Sequence, residues 1–444
     1  MRNTLPARFP MNPEDRMRQI TSLVLAAVAA LAAAPAATAA ETLYHVGYLD
    51  SLGGASSSGN SLNDFGLIAG TSNLADDEHA HAAAWLYGAK RDLGTLGGPN
   101  SNVVWPVKNV FGRITGIAQT SKPQPLGESW SCSAFFVGAD AAKYTCLGFV
   151  WEFGRMRALP TLGGDNGFAT GSNNLGQTVG WAENTVRDPT CTNGQVLQFR
   201  PVVWGPRPRQ IRELPLPPGD SSGAATALND SGQIVGISGI CDQAVGRFSA
   251  AHAVLWEGGR VTDLGNLGGV AWNTPMAINR NGDVVGFANV PGGATPGSLN
   301  EHAFLWTRDG GMQDLGTLGP EDVHSQALGI NDRRQVVGVS CTAHFASCRP
   351  FLWQDGAMVD LNARLAAGYD GVLVAAQDIN DLGQITGQAF DPASGTLKAY
   401  WAIPAAGDSA AAGTTAMHDG VRLPVHARRA LLRRLGFGTA AAER

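Results

Sequence analysis

Short runs of small and apolar residues alternate with glycine-containing turns along most of this chain. The run 275–278 leads into a turn at Asn279, and the run 233–236, which follows such a turn, is rich in β-branched residues. Both features favour strands joined by tight reversals. A third run ends in tryptophan, as at 302–306, and a glycine-containing hairpin at 309–311 leads to a fourth run. The pattern predicts units of four short antiparallel strands.

This unit recurs seven times. Each copy carries the motif Asn-x-x-Gly-x-x-x-Gly, and only the sixth departs, with Arg334 in place of the first glycine. The motif asparagines, which number repeats 1 to 7 below, are Asn63, Asn109, Asn173, Asn229, Asn279, Asn331 and Asn380. The tryptophans that end the third run are Trp85, Trp151, Trp204, Trp256, Trp306, Trp353 and Trp401. A third element, Leu-Gly-x-Leu-Gly-Gly, is clearest at 93–98 and 264–269.

The repeats predict an all-β fold over residues 41–403, a seven-bladed β-propeller of four-stranded antiparallel blades. A unit of about 50 residues with four strands is the size of a propeller blade, whereas a β-helix coil is much shorter. The run 43–49 aligns with a fourth strand, while the last repeat stops at Trp401 in a third strand. The N-terminal strand would therefore complete the last blade and close the ring, which removes exposed sheet edges.

The two ends of the chain have a different composition. Residues 1–40 are interpreted as a signal peptide, because Arg16 and Arg18 precede an apolar run at 23–34 and a small-residue stretch at 37–40. The residues before Met17 do not fit such a signal, so the natural start is placed at Met11 or Met17. Residues 404–444 form an Ala- and Gly-rich basic tail, predicted as disordered or a short helix. No transmembrane segment is predicted in the mature chain.

Charge excludes one class of partner. The full chain has a formal net charge of −5, and residues 41–404, with 22 basic and 32 acidic side chains, have a net charge of −10. An acidic body repels phosphate backbones, so a nucleic-acid partner is not predicted.

The expected location is secreted, periplasmic or at the cell surface of a bacterium, and the protein is expected to be a monomer.

The recurring strings carry a resemblance to a known family. His-Ala-Phe-Leu-Trp at 302–306, together with Asp-Leu-Gly-Thr-Leu-Gly-Gly and Ala-Ile-Asn-x-x-Gly, resembles the HAF repeat of extracellular bacterial proteins. The resemblance covers about 360 residues, since its three elements recur in the same order in repeat after repeat. It implies a secreted protein of repeated β architecture, and it brings no established activity or catalytic residues.

The spacing between motifs indicates where function resides. Insertions concentrate between the second and third strands, and in a four-stranded meander these loops emerge on one side together with the connections between units. Binding residues tend to lie on variable loops held by a rigid scaffold, so this side is the predicted functional face. All six cysteines fall in these connections, and an even number in an exported chain predicts disulfides over metal ligation. The local pairing is Cys132–Cys146, Cys191–Cys241 and Cys341–Cys348.

Two loops hold the candidate binding residues. Asp76, Asp77 and Glu78 lie beside His79 and His81 in one variable loop. Their oxygens would suit calcium, and the two imidazoles a transition metal, while the alternative is a solvated acidic loop. In the longest insertion, Trp130 breaks the repeat pattern and is read either as an exposed aromatic surface for a glycan or protein, or as a plug for its own disulfide loop. No other cofactor is predicted.

The sequence lacks the local motifs of common enzyme classes, including the nucleophile elbow, the zinc-protease motif and the phosphate-binding loop. The predicted function is therefore non-catalytic: an exported propeller that binds an extracellular glycan or protein through its variable-loop face. Two alternatives stay open. One is a propeller hydrolase or lyase acting on polysaccharide, with carboxylates that converge from different blades, and the other is a structural protein of the cell envelope.

Overall fold

The computed structural model describes residues 42–128, 132, 135–136, 140–191, 194–207, 209–241, 250–269, 272–291, 300–405, 423–425, 428 and 431. This part of the chain is all-β, with 28 strands and two 3-10 helices, Ala343–Phe345 and Leu361–Arg364. Within these ranges no helix has the length and hydropathy needed to cross a membrane. The predicted signal peptide, Trp130 and most of the tail lie outside the described residues.

The strands follow the repeats. Repeat 1 contains β2 (Gly53–Leu62), β3 (Leu67–Leu74), β4 (Ala80–Leu86) and β5 (Ala89–Asp92). Repeat 2 contains β6 (Gly97–Asn102), β7 (Ile114–Pro123), β8 (Tyr144–Glu152) and β9 (Arg155–Ala158). Repeat 3 contains β10 (Gly167–Ser172), β11 (Thr178–Arg187), β12 (Leu197–Trp204) and β13 (Ile211–Glu213). Repeat 4 contains β14 (Ser222–Leu228), β15 (Ile234–Gly239), β16 (His252–Glu257) and β17 (Arg260–Asp263).

The remaining repeats have the same composition. Repeat 5 contains β18 (Thr274–Ile278), β19 (Val284–Asn289), β20 (Glu301–Thr307) and β21 (Gly311–Gly316). Repeat 6 contains β22 (Asp322–Ile330), β23 (Val336–Thr342), β24 (Cys348–Gln354) and β25 (Ala357–Asp360). Repeat 7 contains β26 (Val372–Ile379), β27 (Ile385–Asp391) and β28 (Thr396–Pro404). The N-terminal strand is β1 (Tyr44–Tyr48).

Repeats 2 to 6 each form a separate four-stranded antiparallel sheet in sequence order. The predicted four-strand unit is thereby confirmed. The strands of repeats 7 and 1, together with β1, form one eight-stranded sheet. Seven of them follow the order β26-β27-β28-β2-β3-β4-β5, in which the two repeats join through one parallel pair, Ser56 with Leu397. The eighth, β1, pairs antiparallel with β28, with Tyr44 opposite Pro404.

The meander gives every sheet two different ends. The Asn-x-x-Gly turn and the hairpin after the repeat tryptophan lie at the same end, because the start of β3 pairs with the end of β4, Leu67 opposite Leu86. We call this end the turn face. The insertions between second and third strands lie at the other end, the loop face, as when the N–H of Ala55, at the entry to repeat 1, donates to Asp77 Oδ1 at 2.7 Å.

A chain of asparagine side chains links the repeats. Within its own turn, Asn229 Oδ1 accepts the N–H groups of Ser231 and Gln233 at 3.1 Å each. Its Nδ2 donates to the carbonyl of Asn279, the motif asparagine of the next repeat, at 3.0 Å. The donation to the following motif carbonyl recurs from Asn63, Asn173, Asn279, Asn331 and Asn380. The last of these donates to the carbonyl of Asn63, at 3.1 Å, so the final repeat is bonded to the first.

Two further contacts cross between distant repeats. Lys108 Nζ, in repeat 2, lies 2.9 Å from Asp378 Oδ1 in repeat 7 and donates to the carbonyl of Ile330 in repeat 6. Trp105 Nε1 contacts Met276 Sδ in repeat 5 at 3.2 Å. Because each contact joins repeats far apart in sequence, the repeats face a common centre.

Buried aromatic and aliphatic side chains fill the space between the sheets. Trp85, Trp204 and Trp256 are 1–2% exposed, and their indole N–H groups donate to backbone carbonyls of the preceding connection, as Trp204 does to Pro160 at 2.8 Å. The most extensive cluster includes Trp105 together with the disulfides and Phe residues of the loops. Leu423 and Leu431 of the tail are buried in that cluster, 8% and 0% exposed.

The chain of asparagine hydrogen bonds predicts that substitutions at two positions reduce the stability of the fold by equal amounts. Replacing Asn229 by Ala removes two donated bonds, to the carbonyl of Asn279 and to Gln233 Oε1, and leaves two turn N–H groups without their acceptor, which should cost about 2–3 kcal/mol of stability. Asn380→Ala should cost the same, because Asn380 makes the equivalent bonds to Asn63 and Gln384. Thermal unfolding checks this, with Ser231→Ala as a control in the same turn as Asn229. A loss at Asn380 that is smaller than the loss at Asn229 by about 1 kcal/mol, the value of one hydrogen bond, would show that the last repeat is not bonded to the first.

Candidate functional site

Three disulfides stabilise the loop face. The pairs are Cys132–Cys146, Cys191–Cys241 and Cys341–Cys348, so the predicted disulfides are confirmed, and their pairing is the local one of the 15 that six cysteines allow. The second pair joins repeat 3 to repeat 4. The positions differ from the sequence expectation in one respect, because Cys146, Cys341 and Cys348 lie within β8, β23 and β24 instead of in the loops themselves. These disulfides lie at or near the strand ends and hold the bases of the loops. None of the three lies at a loop tip.

The predicted acidic loop is organised by its own hydrogen bonds. Asp76 Oδ1 accepts the N–H groups of Glu78 and His79 at 3.0 and 3.1 Å, and its Oδ2 lies 2.8 Å from His79 Nδ1. The hydrogen bond from His79 lowers the pKa of Asp76. Asp77 Oδ1 accepts from the N–H of Ala55 and from Asn73 Nδ2. These bonds account for Asp76 and Asp77 as turn-forming residues, and ligand binding by this loop stays a prediction.

His81 belongs to a recurring pair of strand residues. Its Nδ1 lies 2.9 Å from Asp92, on the neighbouring fourth strand. Equivalent cation–carboxylate pairs join the third and fourth strands in four other repeats: His252–Asp263, His302–Asp314, Arg200–Glu213 and Arg349–Asp360. Because Arg and His alternate at this position, the pair joins strands in a way that does not require a metal.

The structure brings three possible metal donors together at one described position, Asp188 with Cys191 and Cys241. Both sulfurs are in a disulfide and are not available as thiolates. His79 and His81 are not members of a described donor group of this size. The metal prediction for those two histidines stays a prediction.

Two buried carboxylates converge beneath the loop face. Glu128, in the insertion of repeat 2, and Glu183, on β11 of repeat 3, are 1% and 0% exposed. Asn166 Nδ2 is 3.3 Å from Glu128 and 3.0 Å from Glu183, and Gln195 Nε2 is 3.4 and 2.9 Å from the same two groups. Glu128 Oε1 also accepts the N–H of Leu197 at 2.6 Å. The pair thereby holds the insertion of repeat 2 against repeat 3.

Burial governs the electrostatics of this pair. It raises the pKa of Glu183 to about 7, and the negative charge of Glu128 adds to the shift. Burial also raises the pKa of Glu128, while the N–H groups of Leu197 and Val196 act in the opposite direction. Two carboxylates that share donors in a buried site cannot both ionise at low cost. One of them therefore carries a proton under mildly acidic conditions.

A polar cavity opens on the turn face where the motif asparagines meet. Its volume is about 120 Å³, and its lining includes six of the seven motif asparagines. Four carboxylates surround it, those of Asp64, Asp230, Asp332 and Asp381. Arg280 forms ion pairs with both Asp332 and Asp381 across the mouth. These carboxylates also accept hydrogen bonds from backbone N–H groups. Asp64 Oδ1, for example, accepts the N–H of Asp381 at 2.9 Å.

Around this cavity, one half of the turn face is apolar. Nine of the twelve exposed large hydrophobic side chains among the described residues lie there, and we call them the apolar arc. They are Leu382 and Ile403 in repeat 7, Phe65, Leu86 and Tyr87 in repeat 1, Val110, Phe111 and Phe153 in repeat 2, and Leu175 in repeat 3. Phe111 is 77% exposed and Phe153 is 94% exposed. A concentration of exposed apolar side chains of this kind indicates an interaction surface.

Neighbouring repeats bring the members of the arc side by side. A Cβ atom placed on Gly66, next to Phe65, would lie 3.5 Å from the Tyr87 ring and 3.4 Å from Trp401 of repeat 7. One on Gly112, next to Phe111, would lie 3.3 Å from Leu67 of repeat 1. The N–H of Val110 donates to Asn174 of repeat 3 at 2.8 Å. These contacts join the turns of repeats 7 and 1, of repeats 1 and 2, and of repeats 2 and 3, so the arc spans four neighbouring repeats.

The other half of the same face is polar at the same positions. The third motif position holds Phe65, Phe111, Leu175 and Leu382 in the arc repeats, but it holds Ser231, Asn281 and Arg333 in repeats 4 to 6. The first hairpin position follows the same division: Tyr87 and Phe153 in the arc, Gly258 and Asp355 outside it. The fold therefore does not require an apolar side chain at either position.

Two arc residues have an unfavourable backbone conformation. Tyr87 and Phe153 both have φ of 50°, a left-handed conformation that Gly258 and Asp355 also adopt, at 57° and 53°. Glycine tolerates this region, and Asp is several-fold enriched there, but a bulky aromatic is an outlier. Strain at an exposed aromatic that packs against little of its own fold points to a role in binding.

Sequence comparison among the repeats contained the signal for this surface. The recurring motifs do not reveal this surface, because the arc lies at the positions that change from apolar to polar between one half of the repeats and the other. Aligning the seven copies and examining the third motif position alone would have located it. The acid pair had no comparable signal, because Glu128 lies in an insertion without a repeat equivalent.

Comparison with known proteins finds structural similarity at low sequence identity. The β-propeller domain of the Trilobed protease from Pyrococcus furiosus is 10% identical, over 81% of this chain and 93% of that chain, with a TM-score of 0.45. A protein of unknown function from Dyadobacter fermentans DSM 18053 is 10% identical, over 82% and 97% of the two chains, with a TM-score of 0.42. An acylaminoacyl peptidase is 12% identical, over 75% and 50%, with a TM-score of 0.38.

No known family model matches the chain. The curated proteins contain no match either. The chain's own surface is therefore the basis for a functional proposal.

The acid pair predicts that stability falls as pH rises. The pKa of Glu183 is about 7 in the folded protein and near 4.5 when unfolded, so the folded state binds the proton more tightly. Stability should be highest below pH 4.5 and should decline by up to about 3 kcal/mol as pH rises to about 7. Glu183→Gln imitates the protonated form and should remove this decline. Thermal unfolding at several pH values measures it.

Glu321→Gln is the matched control, since it removes one charge from an exposed position before β22. Other buried acids, such as Glu301, also have a raised pKa, so the informative quantity is the difference between Glu183→Gln and the native protein at each pH. If that difference does not vary between pH 5 and 7, the raised pKa of Glu183 is wrong.

Proposed function

We propose that this chain is an exported, non-catalytic seven-bladed β-propeller that binds a partner surface through its apolar arc. The ring is supported by the bond from Asn380 to Asn63, which joins the last repeat to the first, and by the pairing of β1 with β28. Export is supported by the disulfides, which form in oxidising compartments. The HAF-repeat resemblance agrees with the same location.

The observation that carries the binding role is the division of the turn face. Equivalent positions of one fold hold Phe, Tyr, Leu or Pro in one half and Ser, Asn, Arg, Gly or Asp in the other. Apolar side chains that are 77% and 94% exposed contribute little to folding, since their burial is what stabilises. A surface that retains them at the expense of backbone strain is best explained by a partner that covers them.

The loop face is the weaker candidate for this role. Asp76 and Asp77 are engaged in turn-forming bonds, and Leu423 and Leu431 of the chain's own tail are buried in the cluster beneath the loops. Recognition of a glycan or protein by Trp130 remains a separate proposal for that face.

A polysaccharide hydrolase or lyase finds less support. Such an enzyme needs two carboxylates that a polymer can reach. Glu128 and Glu183 have suitably raised pKa values, but both are buried and hydrogen-bonded to amide groups. Asp332 and Asp381 at the cavity mouth are paired with Arg280. A purely structural envelope role differs from the proposal in one respect, because it does not require the apolar arc.

The proposal predicts that one hairpin substitution separates stability from binding. Phe153→Gly relieves about 1 kcal/mol of left-handed strain and loses a similar amount through greater freedom of the unfolded chain, so thermal stability should stay close to native. Binding to cell envelopes isolated from the producing bacterium should fall at least about tenfold, since a large apolar contact is lost. Sedimentation with the envelopes, as a binding curve, provides the measurement.

Asp355→Gly is the matched control, because it makes the same change at the same φ on the polar half of the face. It should leave envelope binding unchanged. Equal envelope binding by native protein, Phe153→Gly and Asp355→Gly would contradict a role for the arc and would favour the loop face.

A further inference from the structure

The charges beside the apolar arc identify its partner by chemistry. The six residues that follow the repeat tryptophan form the outer hairpin of each sheet. Their net charges are +2, +1 and +2 in repeats 1, 2 and 3, and 0, 0 and −1 in repeats 4, 5 and 6. Basic side chains thus accompany the apolar ones on the same half of the turn face, although residues 41–404 as a whole have a net charge of −10.

We infer that the apolar arc, with Arg155, Arg207 and the other basic residues of the hairpins in repeats 1 to 3, docks on the surface of an anionic lipid bilayer. The inference rests on the proposed function, since it names the partner of the same surface. Arg155 is exposed two residues after Phe153, and Arg207 and Arg209 are exposed in the hairpin of repeat 3. Apolar side chains that enter the interface and cations that contact lipid phosphates are the two components of peripheral membrane binding.

The shape of the arc favours a bilayer over a protein partner. Protein hot spots are anchors that fit into desolvated pockets and are surrounded by a rim that excludes water. Here the exposed apolar side chains lie on separate turns and hairpins of repeats 7, 1, 2 and 3, with the aromatic ones in repeats 1 and 2. The neighbouring cavity mixes the amide and carboxyl groups of Asn and Asp with Leu and Ile side chains, so it is not the dry apolar pocket that an anchor needs. A row of projecting tips can be buried together by a soft, flat apolar phase.

The ends of the described body are also at this face. β28 runs towards the turn face and ends at Pro404, and β1 begins opposite it at Tyr44. The N–H of Ala405 donates to the carbonyl of Leu43 at 2.8 Å. The segment 1–41, with its predicted export signal, therefore joins the body at the same face as the arc. A chain delivered across a membrane by that segment would present the arc to the bilayer.

Vesicle binding tests the inference. Full-length protein, expressed with its export segment and recovered outside the cytoplasm, is floated with vesicles of phosphatidylcholine alone and of equal parts phosphatidylcholine and phosphatidylglycerol. The native protein should bind the mixed vesicles and bind the neutral ones at least about tenfold more weakly, and added salt should reduce binding. Phe111→Asn and Phe153→Gly should each weaken binding at least about tenfold, and Arg155→Gln about fivefold.

Controls come from the polar half of the same face. The control variants are Ser231→Ala, Asp355→Gly and Arg260→Gln, at the positions equivalent to Phe111, Phe153 and Arg155. Each should bind the mixed vesicles as the native protein does. All variants share the same termini, so a contribution from the export segment or the basic tail cancels between them. Binding of the mixed vesicles that Phe111→Asn and Phe153→Gly leave unchanged would overturn the inference.

The outcomes also separate the inference from the proposed function. If the native protein binds neither kind of vesicle but Phe153→Gly still weakens binding to cell envelopes, the arc has a protein or glycan partner and only the inference fails. If the native protein instead binds neutral and mixed vesicles equally, with both kinds of binding weakened by Phe111→Asn and Phe153→Gly, the arginines have no role in binding. In that case the inference of an anionic bilayer as the partner is wrong. Failure in both assays would overturn the proposed function as well.

Discussion

The structure depends on one hydrogen bond repeated from sheet to sheet. A single asparagine side chain closes its own turn through Oδ1 and donates through Nδ2 to the backbone of the next repeat. Both ends of the amide are therefore used. An ionised Asp has no donor, and a Ser hydroxyl has one donor on the same atom that accepts, whereas the Asn amide separates its acceptor oxygen from two N–H donors. In repeat 2 this link is replaced by another, because Asn109 donates to Ser172 of repeat 3. A second bond between neighbouring turns is kept there as in other repeats: the N–H of Val110 donates to Asn174, as the N–H of Asn174 donates to Asp230.

This constraint separates what the fold needs from what the surface can vary. The asparagine and the glycine determine the turn, and the strand after it is buried, but the third motif position projects into solvent. A side chain there is exposed and the fold does not require it to pack, although Asn281 Nδ2 donates to the carbonyl of Asp332 at 3.0 Å. Phe65, Phe111 and Leu175 can therefore occupy it in three consecutive repeats without disturbing the chain of asparagines, and Ser231 and Asn281 can occupy it equally well.

The same separation explains what could be predicted from the sequence. Four strands per unit, the turn-forming role of the asparagine and the local disulfide pairing all follow from features that recur or lie close together in sequence. The apolar arc could not be predicted from what recurs, because it consists of departures from the repeat. Nor could the pair Glu128–Glu183, because only the packing of an insertion against the next sheet brings those carboxylates to the same two amide groups. Insertions indicated the loop face as the functional one, but much of that variation is used to build and brace the loops.

Strain and charge indicate a preferred orientation for the molecule. Tyr87 and Phe153, the aromatic side chains on left-handed backbone at this face, lie on the half where the hairpins are basic. The equivalent positions of repeats 4 and 6 hold Gly258 and Asp355, and the hairpins of repeats 4 to 6 have no net positive charge. An acidic body with one basic, apolar half-face has an electrostatic asymmetry, which would turn that half towards an anionic surface before contact. At contact the aromatic side chains would add short-range apolar contacts with the surface, which long-range electrostatic attraction alone cannot provide. The two features need each other, since exposed aromatics without charge would adhere to any apolar surface, and arginines without aromatics would be screened at physiological salt.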